Sequence, residues 1–539
     1  MEENSPDVIV IGAGAAGAAV SYGLAKSGVS VVCLEQGDYT DPRLYPSTEI
    51  GWEKHKFSTF NSDPNVRMGK ADYPINNTNS PISVANFNAV GGSTILFSGH
   101  YPRLHPSDLR SYSLDGVASD WPISYAELEI YYDRNQENVA VAGLAGDPSY
   151  PPIKNLLPPV PMGKMGQVLA EGFNKKGWHW WPAYSAIATR DFHSQNKCIN
   201  LGPCNLGCPQ GAKSSADVTY WPKATKLGAR LLTNCRVSEI VAHNSHEVTG
   251  VKYFNNGEEK FLHCKIVVLA CNGVGTPRIL LNSKSQFAPK GLANSSGQVG
   301  KNLMFHPLAY VEGEFSESLD SNLGPQGCSI SSQEFYESDP SRGFVRGYTM
   351  QVLRGPSPIE HVIGNIKRKS LRWGKTQIDE FLRKYNKTAH ISIICEDLPD
   401  PSNFVDLDPT QTDSDGIPAP RINYKLSENS KKMLAHGIRR AEEVMTSAGA
   451  AKTFSFGPVR ATGWHLMGTA RMGSDPQNSV VNEWGQSHDI SNLFIADSSI
   501  FVTSGGVNPA ATIQALALKV SDGVIEHLRG NMPQVRTAK

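Results

Sequence analysis

The sequence predicts an α/β protein whose N-terminal part is a Rossmann-like, dinucleotide-binding domain. Three observations predict it. The apolar run DVIVIG at 7–12 feeds directly into the glycine loop GAGAAG. Two later runs, IVVLAC from Ile266 and NLFIAD from Asn492, have the composition of strands buried on both faces. A long helical pattern follows Pro509. At 539 residues, with 40% hydrophobic side chains, the chain can bury a large core and is long for one domain.

In chain order, Gly12, Gly14 and Gly17 fit G-x-G-x-x-G: a tight turn, close backbone approach to a pyrophosphate, and close packing of the next helix. The N-terminus of that helix, with Ala15 and Ala16, favours an anion. AAVSYGLAKSG reads as a helix ending at Gly28, and VSVVCLE as the second strand. Glu35, followed by Gln36, lies about 20 residues beyond the loop, where a ribose-binding acid belongs. A carboxylate there suits ribose hydroxyls and repels a 2′-phosphate, so FAD or NAD is expected over NADP.

Charge and composition exclude several classes. Basic and acidic residues number 51 each, which gives no electrostatic case for nucleic acid or an anionic membrane surface, so a small-molecule partner is expected. No apolar run reaches the ~18 to 20 residues of a membrane helix. MEENSPDVIV carries neither a basic n-region nor a twin-arginine signal, and a soluble, cytoplasmic protein is expected. Nine scattered cysteines read as reduced thiols, with no disulfide framework.

Four segments in order and spacing resemble the glucose-methanol-choline (GMC) flavoprotein oxidoreductases over nearly the whole chain. They are the N-terminal βαβ unit; NAVGGSTILFSGHYPRLHPSDL from Asn88; IVVLACNGVGTPRILLNS with VGKNLMFHP; and GWHLMGTARMG with NLFIADSSIFVTSGGVNPAATIQALALKVSDGV. The resemblance implies FAD. It places Gly91, Gly92, Ser93, Thr94 and Ser98 along the pyrophosphate and isoalloxazine, the Val237 backbone at the adenine, and Ala270 and Asp497 at the FAD sheet. The start of the last helix, Asn508, Pro509 and Thr512, would face the flavin pyrimidine oxygen and stabilise negative charge there. Some relatives tether FAD through a histidine just after the Gly-Gly pair; Ile95 or Leu96 stands near that place, so non-covalent FAD is expected. Pro277 is expected in the first turn of its helix. The implied division is an FAD domain from 1–100, 211–310 and 456–539, and a sheet-plus-helices substrate domain from 101–210 and 311–455.

Oxidising a C–H(OH) centre removes a hydroxyl proton and a hydride. A neutral imidazole suits the first task. By resemblance the base is His465 and its partner Asn508, which can hydrogen-bond the substrate oxygen without competing for the proton. His306 and His100 are weaker candidates. The His/Asn pair, shared with pyranose-oxidising members, points to a sugar or glycoside ring hydroxyl, possibly at C3, oxidised to a ketone, with O2 or a dye- or quinone-like acceptor reoxidising the flavin. Two alternatives stay open: an iron–sulfur-linked dehydrogenase subunit passing electrons to a cytochrome, and a lyase on the same fold. KCINLGPCNLGCPQGAKSS, with Cys198, Cys204 and Cys208, resembles a cluster-binding segment but lacks its adjacent cysteine, so no metal is expected. SDWPISYAELEIYYDRNQENV reads as a packed helix, and GWHWWPAY as core packing in preference to an aromatic sugar wall. The polar stretch 321–375 reads as an irregular lid or interface.

Overall fold

The computed structural model describes residues 5–325, 327, 329–367, 372 and 374–531. The rest lie outside the described residues, including both chain ends and positions 326, 328, 368–371 and 373 of the stretch singled out above. Five parallel strands form one sheet, in the order Leu493–Ile495, Ile266–Leu269, Val8–Ile11, Val31–Leu34, Arg230–Leu232. Val8 to Ile11 and Ile266 to Leu269 are buried, as a parallel sheet covered on both faces requires. The helices Ala15–Lys26 and Ala510–Leu528 pack together on it. A Cβ added at Gly23 would lie 2.3 Å from the Ser521 hydroxyl, so glycine sets how closely they approach.

The glycine loop needs its glycines for equally local reasons. Gly12 has φ +97°, and a Cβ on Gly17 would fall 1.8 Å from the Gly12 carbonyl oxygen. Only glycine lets the helix start that close to the strand. The antiparallel sheet Cys235–Ala242, Val248–Asn255, Glu258–His263 brings Val237 beside the end of the parallel sheet.

A second large sheet is antiparallel, in the order Lys452–Phe456, Leu308–Glu314, Thr388–Cys395, Tyr348–Arg354, Ile330–Ser332, Trp181–Pro182. Its outer face packs against the helices Gly163–Lys176 and Glu428–Ser447, building a core of its own. The expectation of an irregular 321–375 is corrected here. The stretch supplies two strands of this sheet and the helix Pro358–Lys367. The strand Tyr348–Arg354 is buried on both faces yet alternates, with Tyr348, Met350 and Val352 in the apolar core and Gln351 and Leu353 on the cavity side. The helix after Trp-Pro is present as Tyr125–Gln136, opened by a capping box between Ser124 and Glu127. No described helix is long and apolar enough to cross a membrane.

Pro277 is also corrected: it sits inside the helix Asn272–Asn282, beyond the first turn. A proline there leaves the carbonyl four residues earlier, that of Gly273, without its helical donor. The Thr469 hydroxyl donates to that oxygen at 2.8 Å instead. Gly273 N–H in turn donates to the Leu466 carbonyl, so the helix anchors the loop on which His465 stands. Thr469→Val, nearly isosteric but without the donor, is expected to lower unfolding free energy by about 1–3 kcal/mol in chemical denaturation, the cost of an unsatisfied buried carbonyl.

Candidate active site

Between the two large sheets lies a cavity of about 370 Å³. One end is lined by Glu35, Gln36 and Val237, its middle by Gly12, Gly14, Ala15, Ala16 and Gly92, and the other end by His465, Asn508 and three strands of the antiparallel sheet. Ser93, Thr94, Ser98, Ala270, Asp497 and Pro509 also line it. Gly17 and Gly91 stand behind the wall: Gly91 N–H donates to the Ala13 carbonyl and locks the two glycine loops together. Thr512 does not line the cavity, because its hydroxyl is paired with Tyr132 at 2.6 Å. His100 lines it, and burial lowers its pKa to about 4.

The wall fits FAD. The Ala15–Lys26 and Ala510–Leu528 helices both open onto the cavity without a side-chain cap, leaving first-turn amides for a diphosphate and for a negatively charged ring oxygen. The Glu35 carboxylate accepts the backbone N–H groups of Ala13 and Gly37, one on each oxygen and both at 2.8 Å, which fixes it at the cavity edge. Burial pushes its pKa up. Leu96 lines the cavity and Ile95 is fully buried; neither offers a nucleophile for a tether.

At the far end two imidazoles touch. An isolated antiparallel bridge between Met304 and Met467 sets the register that places His306 opposite His465. Their Nδ1 atoms are 2.6 Å apart, and His306 Nε2 is 2.7 Å from the Gly505 carbonyl. A carbonyl only accepts, so His306 carries its proton on Nε2. Burial lowers the His306 pKa to about 4, so the ring is neutral and its Nδ1 is bare. The short contact then requires the proton of His465 on Nδ1, which leaves His465 Nε2 as a bare acceptor. Burial first, then the neighbouring His306 and His100, lower the His465 pKa well below the usual histidine value.

Asn508 is oriented by the same kind of argument. Gln351 Nε2 donates to Asn508 Oδ1 at 2.5 Å, so the Asn508 carbonyl is occupied and its NH2 is the free end. A residue with a bare acceptor nitrogen and a residue with an oriented amide donor therefore both line the cavity. His306 was a weak candidate in sequence and Gln351 was missed; the bridge and strand register that bring them in are long-range and leave no local signal.

Other expectations find their places. Trp178 meets Phe335 edge-to-face, and the Trp180 and Trp181 indoles donate to Asn174 and to the Leu144 carbonyl; none of the three lines the cavity. Cys198, Cys204 and Cys208 form no disulfide with one another, and among the described residues no three His, Cys, Asp or Glu side chains converge as a metal-holding group. Their loop instead lends Asn205 to the cavity wall, and the buried Lys213 ammonium joins it to the flavin-side stretch by donating to the Ile95, Phe97 and Cys204 carbonyls.

Two outcomes follow from the imidazole pair. Both rings have depressed pKa values, so they are neutral above the ordinary ~6.5 and gain charge only as pH falls well below it. The acid limb of kcat/KM is expected clearly below pH 6.5. His306→Ala removes an acceptor and a source of repulsion; a roughly 10- to 100-fold slower flavin reduction with an acid limb moved up in pH is expected in stopped-flow profiles. His306→Asn, which returns an acceptor near Nδ1, should recover most of the rate.

The N- and C-terminal domains of the GMC oxidoreductase family match residues 6–308 and 399–517. The chain is 40% identical to a 2-methyl-1,2-propanediol dehydrogenase of Mycolicibacterium austroafricanum, over 96% of this chain and 94% of that one. It is 28% identical to the fructose dehydrogenase large subunit of Gluconobacter japonicus, over 98% and 99%. It is also 28% identical to a 6'''-hydroxyparomomycin C oxidase of Streptomyces lividus, over 97% and 92%. Its fold matches the crystal structure of a pyridoxine 4-oxidase with a TM-score of 0.64 at 15% identity, over 97% and 99%. The chain therefore belongs to the GMC oxidoreductases, FAD-dependent enzymes that oxidise CH–OH groups.

Proposed function

We propose that the protein oxidises a ring secondary hydroxyl of a sugar or related polyol to a ketone, with His465 as base and Asn508 as hydrogen-bond donor. The observation that carries this reading is the pairing of a bare imidazole nitrogen with an oriented amide NH2 in the cavity that the glycine loops open onto. A hydroxyl fits between them: it donates to His465 Nε2 and accepts from Asn508 Nδ2. As the C–H bond breaks, His465 takes the hydroxyl proton on Nε2 and keeps its other proton on Nδ1, shared with His306. Asn508 supports the charge growing on the oxygen. Bound FAD supplies the acceptor for the hydride.

In this reading 1–100, 211–310 and 456–539 hold the cofactor, and 101–210 and 311–455 shape the substrate. FAD is held without a covalent bond, since Ile95 and Leu96 occupy the tethering place. The turnover ends with O2 or a quinone-like acceptor. The names of the fructose dehydrogenase and paromomycin-related oxidase relatives support a polyhydroxylated substrate. A second reading, a small vicinal diol, is supported by the 40% identity to the propanediol dehydrogenase.

Anaerobic mixing with free sugars, O- and C-glycosides, 2-methyl-1,2-propanediol and monohydric alcohols tests the proposal through flavin absorbance. Bleaching by ring polyols is expected; bleaching by simple alcohols alone would sink it, and consumption of substrate without bleaching would indicate a lyase. His465→Ala is expected to keep FAD and lose ~10² to 10⁴-fold in flavin reduction, the usual contribution of a general base. Acid precipitation is expected to release all of the FAD into the supernatant.

A further inference from the structure

Three neighbouring strands of the antiparallel sheet present one face to the cavity. Tyr310 stands opposite Ser392, and Ser392 opposite Gln351, in direct register across Leu308–Glu314, Thr388–Cys395 and Tyr348–Arg354. All three line the cavity. Opposed side chains on antiparallel neighbours sit about 5 Å apart, so a phenol, a hydroxyl and an amide form a row of roughly 10 Å. The flanking rows show apolar members to the cavity, Leu308 and Ile394 on one flank and Leu353 on the other, while Thr349 of the first and His390 and Glu312 of the second do not line it.

The row is joined to the reacting end. Its Gln351 holds Asn508, while Tyr310 lies at the opposite end beside Phe456, ring centroids 5.4 Å apart. Burial pushes the Tyr310 pKa up to about 12, so its hydroxyl stays a neutral donor and acceptor. Among the described residues the Ser392 hydroxyl has one long contact, donating to the Gln351 carbonyl at 3.4 Å. Polar side chains facing inward at three adjacent register positions run against the logic of an apolar core, where each costs desolvation without return.

We propose that Tyr310, Ser392 and Gln351 form a subsite for the further hydroxyls of a ring polyol, with Leu308, Ile394 and Leu353 covering its C–H faces. This rests on the reading of His465 and Asn508 as the place of the reacting carbinol. A ring spans more than one step of the row, so its second and third oxygens meet the serine and tyrosine while the first stays with Asn508. A small diol reaches only the Gln351 end. The row thus selects cyclic, multiply hydroxylated substrates over monohydric alcohols of the same carbon frame.

The test compares cyclohexanol, cis-1,2-cyclohexanediol and a methyl pyranoside in anaerobic flavin reduction by the FAD-loaded enzyme, its Ser392→Ala and Tyr310→Phe variants, and His465→Ala. For the unaltered enzyme, kcat/KM is expected to rise with each added hydroxyl. Each row variant is expected to shrink the pyranoside-to-cyclohexanol ratio roughly 3- to 10-fold, the size of one neutral hydrogen bond. Ratios unchanged in both variants, or an unaltered enzyme that favours cyclohexanol, would overturn the subsite. If the ratios hold while His465→Ala stays inactive, the subsite falls and the base assignment stands. An active His465→Ala removes the base assignment itself, whatever the ratios show.

Discussion

Two imidazole nitrogens 2.6 Å apart can share only one proton, and the chemistry at the cavity end depends on which ring owns it. The Gly505 carbonyl settles the question by occupying the donor of His306. Burial then keeps the pair neutral, because a charge on either ring would be desolvated and would repel protonation of its neighbour. The result is a neutral His465 imidazole with Nδ1 engaged and Nε2 bare, the arrangement that the proposed role as base requires. Asn508 is oriented by the same economy of donors and acceptors, through Gln351.

Everything else places those few atoms. The Pro277 helix anchors the His465 loop through Gly273, Leu466 and Thr469, so a proline inside the helix is compensated by a contact the loop needs in any case. The glycine loops meet through Gly91 and Ala13, and two uncapped helix N-termini open onto the same cavity. Lys213 joins the cysteine-bearing loop to the same wall, giving that loop a structural part.

Much of this was legible in the sequence because it is local. The strand–glycine–helix unit around Gly12, the acid Glu35 and the buried strands before Asn272 and Asp497 each announce themselves within about 20 residues. The histidine and asparagine of the site were readable through family resemblance, since periodicity says nothing about either. What could not be read is pairing at a distance. His306 meets His465 through a single bridge, and Tyr310, Ser392 and Gln351 come together only by strand register. The 321–375 stretch was misread because its Gly, Ser and Pro content masked the short alternation of YTMQVLR, whose Tyr348, Met350 and Val352 join the apolar core. Thr512, expected at the cofactor, points its hydroxyl to Tyr132 because position within a helix turn is not resolved by a motif.

The most direct test of the proton arrangement is ¹⁵N NMR of histidine-labelled protein near neutral pH, assigned with His306 and His465 variants. The structure predicts a neutral His465 protonated on Nδ1 with a bare Nε2, beside a neutral His306 protonated on Nε2. A His465 found protonated on Nε2, or charged at that pH, would contradict the account.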